Sequence, residues 1–159
     1  MNLDSMYKLN EGKTFSRILL AIHEPRKSAD MAVNYAIKVA EDYDARLVIL
    51  YIIRGNAHLQ TVNLPSHIIQ MKKDAQTYLI EKISDKIHKE SRMEKTIRIK
   101  TEIIASIRIA DAIVSYAKDK NVDLIVIGTR GRSKLKSLVL GSVASEVVRH
   151  AHCPVLTIK

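Results

Sequence analysis

Gly128, Gly131 and the pair Gly141-Ser142 carry the spacing G-x2-G-x9-G-S in the last third of the chain. The motif begins where an apolar run, Val122 to Ile127, stops, and it ends where a helical pattern starts. Glycine at the end of a strand lets backbone come close to a bound group, because no Cβ intervenes. A Gly-Ser at a helix start offers backbone N–H groups and a hydroxyl to an anion. Strand, basic loop and helix start together outline a phosphate cradle, which makes nucleotide binding the leading expectation. The motif is not a P-loop, since Gly128 is not followed five residues on by a Gly-Lys-Ser/Thr, nor is it the dinucleotide pattern G-x-G-x-x-G. The plainer alternative is a set of glycines that closes a strand and permits a turn. Arg130, Arg132, Lys134 and Lys136 fall inside the motif. They either neutralise phosphate charge or face solvent.

Other chemistry is thinner. His150, His152 and Cys153 lie together, but a zinc site needs about four ligands and no second cysteine accompanies them. A helix-to-strand junction is the expected role, with Cys153 as a small filler and a redox role left open. No nucleophile elbow, HExxH or paired-carboxylate constellation is present. His23 is the one histidine expected near the cradle, and slow ATP hydrolysis is the most that catalysis amounts to.

The elements that must position these groups follow from periodicity. Phe15 to Ile22, Arg46 to Ile53, Ile97 to Ile104, Val122 to Ile127 and Pro154 to Ile158 read as strands. Ile97, Ile99 and Ile103 alternate with Arg98, Lys100 and Glu102, so the third strand is expected at an edge or with one wetter face. Ser28 is placed as the cap of a helix whose stripe is Ala29, Ala32, Val33, Ala36, Ile37 and Ala40. Ala75, Leu79, Ile83 and Ile87 share a face of the longest helix, from Ser66 to about Ser91. Ile109 to Ala117 and Val143 to Ala151 give two more helices. Residues 54–65 form a loop longer than the usual connection of about 2–6 residues. The order β-α-β-α-β-α-β-α-β implies parallel strands covered on both faces. Ligands of such sheets bind outside the strand C-termini, where the glycine motif falls.

The chain has 159 residues, of which 47% are apolar, enough for one domain with its own core. A formal charge of +9, from 26 Lys+Arg against 17 Asp+Glu, favours anionic partners. The basic residues are scattered and aromatics are only 4%, which argues against a stacking platform for nucleic acid and for a solvated basic surface. No apolar run approaches the roughly 18 residues of a membrane span. The start lacks the apolar centre of a signal peptide, and the single Cys153 precludes an internal disulfide. A cytoplasmic protein is expected, with residues 1–14 as a flexible N-terminal arm and 15–159 as the domain.

The run from Asp123 to Ile158 closely resembles the universal stress proteins. Its signature is the glycine spacing, the Gly-Ser and the ending Cys-Pro-Val-Leu together. The similarity extends through Ile18–Ile22, Ala45–Ile53 and Ala110–Ala117, and covers roughly residues 15–159. The resemblance implies a three-layer α/β fold: a five-stranded parallel sheet in the order 3-2-1-4-5, flanked by four helices, Rossmann-like and adenine-nucleotide-binding. It implies the branch of the family that binds ATP or AMP, with magnesium an open companion. It also implies a homodimer through the C-terminal strand, Val155–Ile158, and a regulatory protein partner. Carried onto this chain, Gly128, Arg130 and Gly131 line ribose and phosphates. Gly141, Ser142, Val143 and Ala144 present helix-start groups, Ile52 offers a backbone contact to adenine, and Ile127 walls the base beside Ile22. Relatives usually place Asp where this chain has His23, and often Ser or Thr where it has Ala144. Neutral His offers one donor and one acceptor where ionised Asp only accepts, so base and ribose preference are open. The alternative is a protein-interaction module of the same fold that has lost nucleotide affinity.

Overall fold

Strands with apolar side chains on both faces need a helical layer on each side, and this chain supplies two helices to each. The computed structural model describes residues 14–25, 27–56, 59, 63–90, 97–129 and 140–159. Their elements run β1 (Arg17–Ile22), α1 (Lys27–Tyr43), β2 (Arg46–Arg54), α2 (Ser66–Glu90), β3 (Arg98–Ser106), α3 (Ile109–Asp119), β4 (Leu124–Gly128), α4 (Ser142–His150) and β5 (Val155–Ile158). All neighbouring strands are parallel, in the order β3-β2-β1-β4-β5. On one face Leu20, Ile49 and Val126 pack under Ala32, Val33 and Ala36 of α1 and Ala75 and Leu79 of α2. On the other, Leu19, Leu50 and Ile125 pack under Ile113 and Ala117 of α3 and Ala144 and Val147 of α4. The alternation of strand side chains sorts the apolar residues between these two cores. The expected edge position of the third strand is observed: among the described residues β3 pairs only with β2.

Two helices, α1 and α3, end on a left-handed residue other than glycine. Asp44 and Asn121 take φ of 50°, a left-handed conformation that these two residue types tolerate. Beyond them Ala45 N–H donates to Ala40 O at 2.9 Å, and Val122 N–H to Ala117 O at 2.8 Å. These are the six-to-one bonds of a Schellman ending, and each turns the chain directly into a strand. Asp123, the polar exception before β4, has a structural task. Its carboxylate accepts the backbone N–H of Ser16 at 2.8 Å and of Arg17 at 3.1 Å, fixing the entry of β1 beside β4.

One expectation at the head of α1 is corrected. The helix begins at Lys27, and Ser28 is inside its first turn and buried, not at a cap position. The reason lies on β4. A Cβ on Gly128 would lie 3.0 Å from Ser28 Oγ and 3.1 Å from Ser28 C and O. The bare backbone of Gly128 therefore lets the first turn of α1 settle onto the strand end. Gly128→Ala must push this turn outward, and overpacking of this kind costs about 1–3 kcal/mol. We expect its urea midpoint to fall with the slope unchanged. A midpoint equal to that of the parent would contradict the contact.

Candidate functional site

The chain leaves β1 through α1 toward β2, and leaves β4 through α4 toward β5, on opposite faces of the sheet. Between β1 and β4 the connections thus diverge, which opens a crevice at the strand C-termini where ligands of such folds bind. Two main-chain hydrogen bonds shape its rim. Thr129 N–H donates to Ile158 O at 2.7 Å, and Gly141 N–H donates to Thr129 O at 2.8 Å. The chain thus departs after β4 and returns to the same point before α4, so the helix start is pinned beside the strand end.

The first turn of α4 has amides without an acceptor inside the helix. Its first intrahelical bond is Ser145 N–H to Gly141 O at 2.8 Å. The amides of Ser142, Val143 and Ala144 precede that bond and have no acceptor one turn back within the helix. Gly141 stands at the cap position with φ −57° and ψ 155°, and no side chain caps the helix. Ser145 reaches backward instead, its Oγ donating to Leu140 O at 3.2 Å. Three N–H dipoles and the positive end of the helix therefore meet at one point on the rim.

The sequence-predicted residues divide into three groups. Ile22, His23, Gly128, Gly141, Ser142 and Val143 lie on the elements that border the crevice, at the ends of β1 and β4 and the start of α4. Ile52, Ile127 and Ala144 belong to the closed core beneath α3 and α4. Ile127 is fully buried and so stands as packed floor, not as an open wall. The Ala144 methyl points into that core, leaving only its amide for a ligand. Arg130 and Gly131 lie outside the described residues, as do Arg132, Lys134 and Lys136. Sequence reasoning missed Thr129 and Ser145, whose work is done through main-chain bonds. The only signal was a hydroxyl residue beside each end of the glycine motif.

The α1 side of the crevice is acidic. Tyr51, paired in register with Ile22, has its phenol pushed up by burial and then by the charges of Asp74 and Glu24. Behind it Tyr78 donates to Asp30 at 2.7 Å, and Lys82 meets the same carboxylate at 3.2 Å. Burial and that hydrogen bond keep the Tyr78 phenol protonated far above its ordinary range.

Such a frame, a doubly wound α/β sheet with an anion-ready helix start at its switch point, defines a broad class of nucleotide folds. The profile of the universal stress protein family matches residues 14–159, and the chain belongs to that family. The universal stress protein YxiE of Bacillus subtilis is 33% identical over 155 residues, spanning 91% of this chain and 99% of its own. Among solved structures, universal stress protein UspA from Lactobacillus plantarum gives a TM-score of 0.68 at 26% identity, covering 91% of this chain and 98% of that one. A universal stress protein from Archaeoglobus fulgidus, solved in complex with dAMP, gives 0.64 at 18% identity, covering 92% and 99%. At that identity the likeness speaks for the fold.

The junction after α4 shows where the histidine–cysteine group goes. His150 Nδ1 lies 3.0 Å from Glu146 O, and His152 Nε2 lies 3.0 Å from Val122 O. Each ring is therefore occupied with a separate backbone carbonyl. Burial, and next the charge of Asp123, push the Cys153 thiol up. A raised thiol is mostly protonated at neutral pH and reacts slowly. We expect iodoacetamide at pH 7.5 to alkylate Cys153 in the folded protein at least about threefold more slowly than glutathione. An equal or faster rate would contradict this reading of the junction.

Proposed function

We propose that this protein binds ATP or AMP in the crevice between β1 and β4 and acts as a nucleotide-dependent stress sensor or regulator. The observation that carries the reading is the first turn of α4, with three amides unbonded within the helix and no side-chain cap. The dAMP held by the Archaeoglobus relative supports an adenylate as ligand. Phosphate is placed at Ser142, Val143 and Ala144, and the base toward the ends of β1 and β2, where His23 and the Ile52 backbone stand. Among the described residues no group of three or more His, Cys, Asp or Glu side chains gathers to hold a metal.

The same reading includes a homodimer and a cytoplasmic setting. Among the described residues β5 pairs only with β4, and Val155, Leu156 and Thr157 are half-buried. An uncovered apolar edge strand is prone to pair with another chain, here a second copy. Among the described residues no helix is long and apolar enough to cross a membrane. A regulatory protein partner would read the nucleotide state through the rim.

Ser142→Pro isolates the carrying observation. Proline suits the first helical position, and Gly141 with ψ 155° already has the conformation preferred before proline. The substitution removes one amide and the hydroxyl while preserving the helix; Ser142→Ala removes the hydroxyl alone. Isothermal titration should show ATP or AMP binding to the parent. Affinity should fall at least about tenfold in Ser142→Pro, as expected for a lost charge-assisted bond, with the melting temperature of the apo protein unchanged. Binding undiminished by Ser142→Pro would remove α4 as the phosphate site. Flat titrations with ATP, AMP and GTP, and no stabilisation at millimolar ATP, would instead favour an interaction module without nucleotide.

A further inference from the structure

At the opposite end of the sheet the first residues of three neighbouring strands are all arginine. The register pairs Arg17 with Arg46, and Arg46 with Arg98. Neighbouring strands lie about 4.8 Å apart and registered side chains share a face, so the three arginine side chains leave the sheet side by side on the α3 side. Like charges set directly opposite one another destabilise a sheet. Lys100, two residues along β3, and Lys120, at the end of α3, complete a cleft of about 680 Å3 that the three arginines also line. Among the described residues no Asp or Glu lines it.

The fold relieves this charge only in part. The Arg17 guanidinium donates to the Lys120 carbonyl at the negative end of α3. Arg98 donates to Asp44 O at 3.1 Å and lies 3.8 Å from its carboxylate. Lys100 meets Glu102 at 2.6 Å, and Lys120 Nζ stands 6.0 Å from the centre of the Tyr116 ring. Five cations therefore face two flanking carboxylates. Arg46, at the middle of the row, has no acidic partner among the described residues. The cleft also has an apolar wall: Val48 and the Tyr116 ring lie beside the cations. Its volume falls in the range of small-molecule sites, about 300–1,000 Å3.

We propose that this cleft is a second ligand site, separate from the crevice, for a small phosphorylated molecule whose phosphate is gripped by Arg46 with Arg17 and Arg98. Guanidinium forks match phosphate geometry and hold it through paired hydrogen bonds. The row is then explained as a binding element kept at a cost to stability. The Tyr116 ring and Val48 offer a flat apolar surface to the organic part of the ligand.

The test uses the full chain with inorganic pyrophosphate and with phenyl phosphate against inorganic phosphate, by titration at low ionic strength. In the Ser142→Pro background, which removes the phosphate grip proposed at α4, pyrophosphate should still bind saturably, and adding Arg46→Gln should weaken that binding at least tenfold. Phenyl phosphate should bind more tightly than inorganic phosphate, and Tyr116→Ala should erase that preference. Arg46→Gln should also unfold at the same urea concentration as the parent or higher, since it relieves a like-charge row. Three results would overturn the proposal. One is equal pyrophosphate binding with and without Arg46→Gln in the Ser142→Pro background. Another is loss of all pyrophosphate binding in Ser142→Pro. The third is an oligothymidylate that displaces pyrophosphate and shows the same Arg46 dependence, which would make the row a nucleic-acid surface.

Discussion

The site depends on one short piece of main-chain bonding. Thr129 gives its N–H to Ile158 and receives the N–H of Gly141. These two bonds join the end of β4 to the end of β5 and to the start of α4. Without them the helix start would have no fixed relation to the sheet, and its amides would converge on nothing. The position of α4 is reinforced from below, where Ala144 and Val147 sit in the core with Ile125 and Ile127. Side-chain packing sets the depth of the helix, and main-chain bonding sets where it begins.

The sheet is electrically asymmetric from end to end. On the α1 and α2 face, Asp74 and Glu24 act on Tyr51 and Asp30 on Tyr78. At the strand N-termini cations dominate, and their field is felt by the residues between them. Glu102 is opposed by burial, yet its hydrogen bonds with Lys100 and Tyr116 and the charges of Lys100 and Lys120 hold it below the usual carboxylate range. The Tyr116 phenol moves up, by burial first and then by its bond to Glu102. The excess of +9 in the composition is thus partly organised, because strand register gathers arginines that lie far apart in the chain.

What could be read from the sequence was whatever depends on local periodicity. The unbroken apolar run of β2, the alanine stripe of α1 and the alternation in β3 each named an element, and the alternation also named the edge. The spacing of the glycine motif marked the end of β4 and the start of α4. What escaped depended on contacts between distant segments. Ser28 looked like a cap because capping chemistry is local, whereas its burial follows from Gly128 on another strand. Thr129 and Ser145 act through main-chain partners, which leave little mark on residue type. The row Arg17, Arg46 and Arg98 is invisible without register, which three separate strand starts do not disclose. Ile127, carried over as a wall for the base, lies buried in the core beneath α3 and α4.

The most direct measurement is an amide-resolved nuclear magnetic resonance titration of the 15N-labelled protein with ATP. If phosphate is captured by the start of α4, the largest shifts fall on Ser142, Val143 and Ala144, with Gly128, Thr129 and Gly141 following as the pinned rim adjusts. Saturating ATP that leaves those six amides unmoved while others shift would contradict the account.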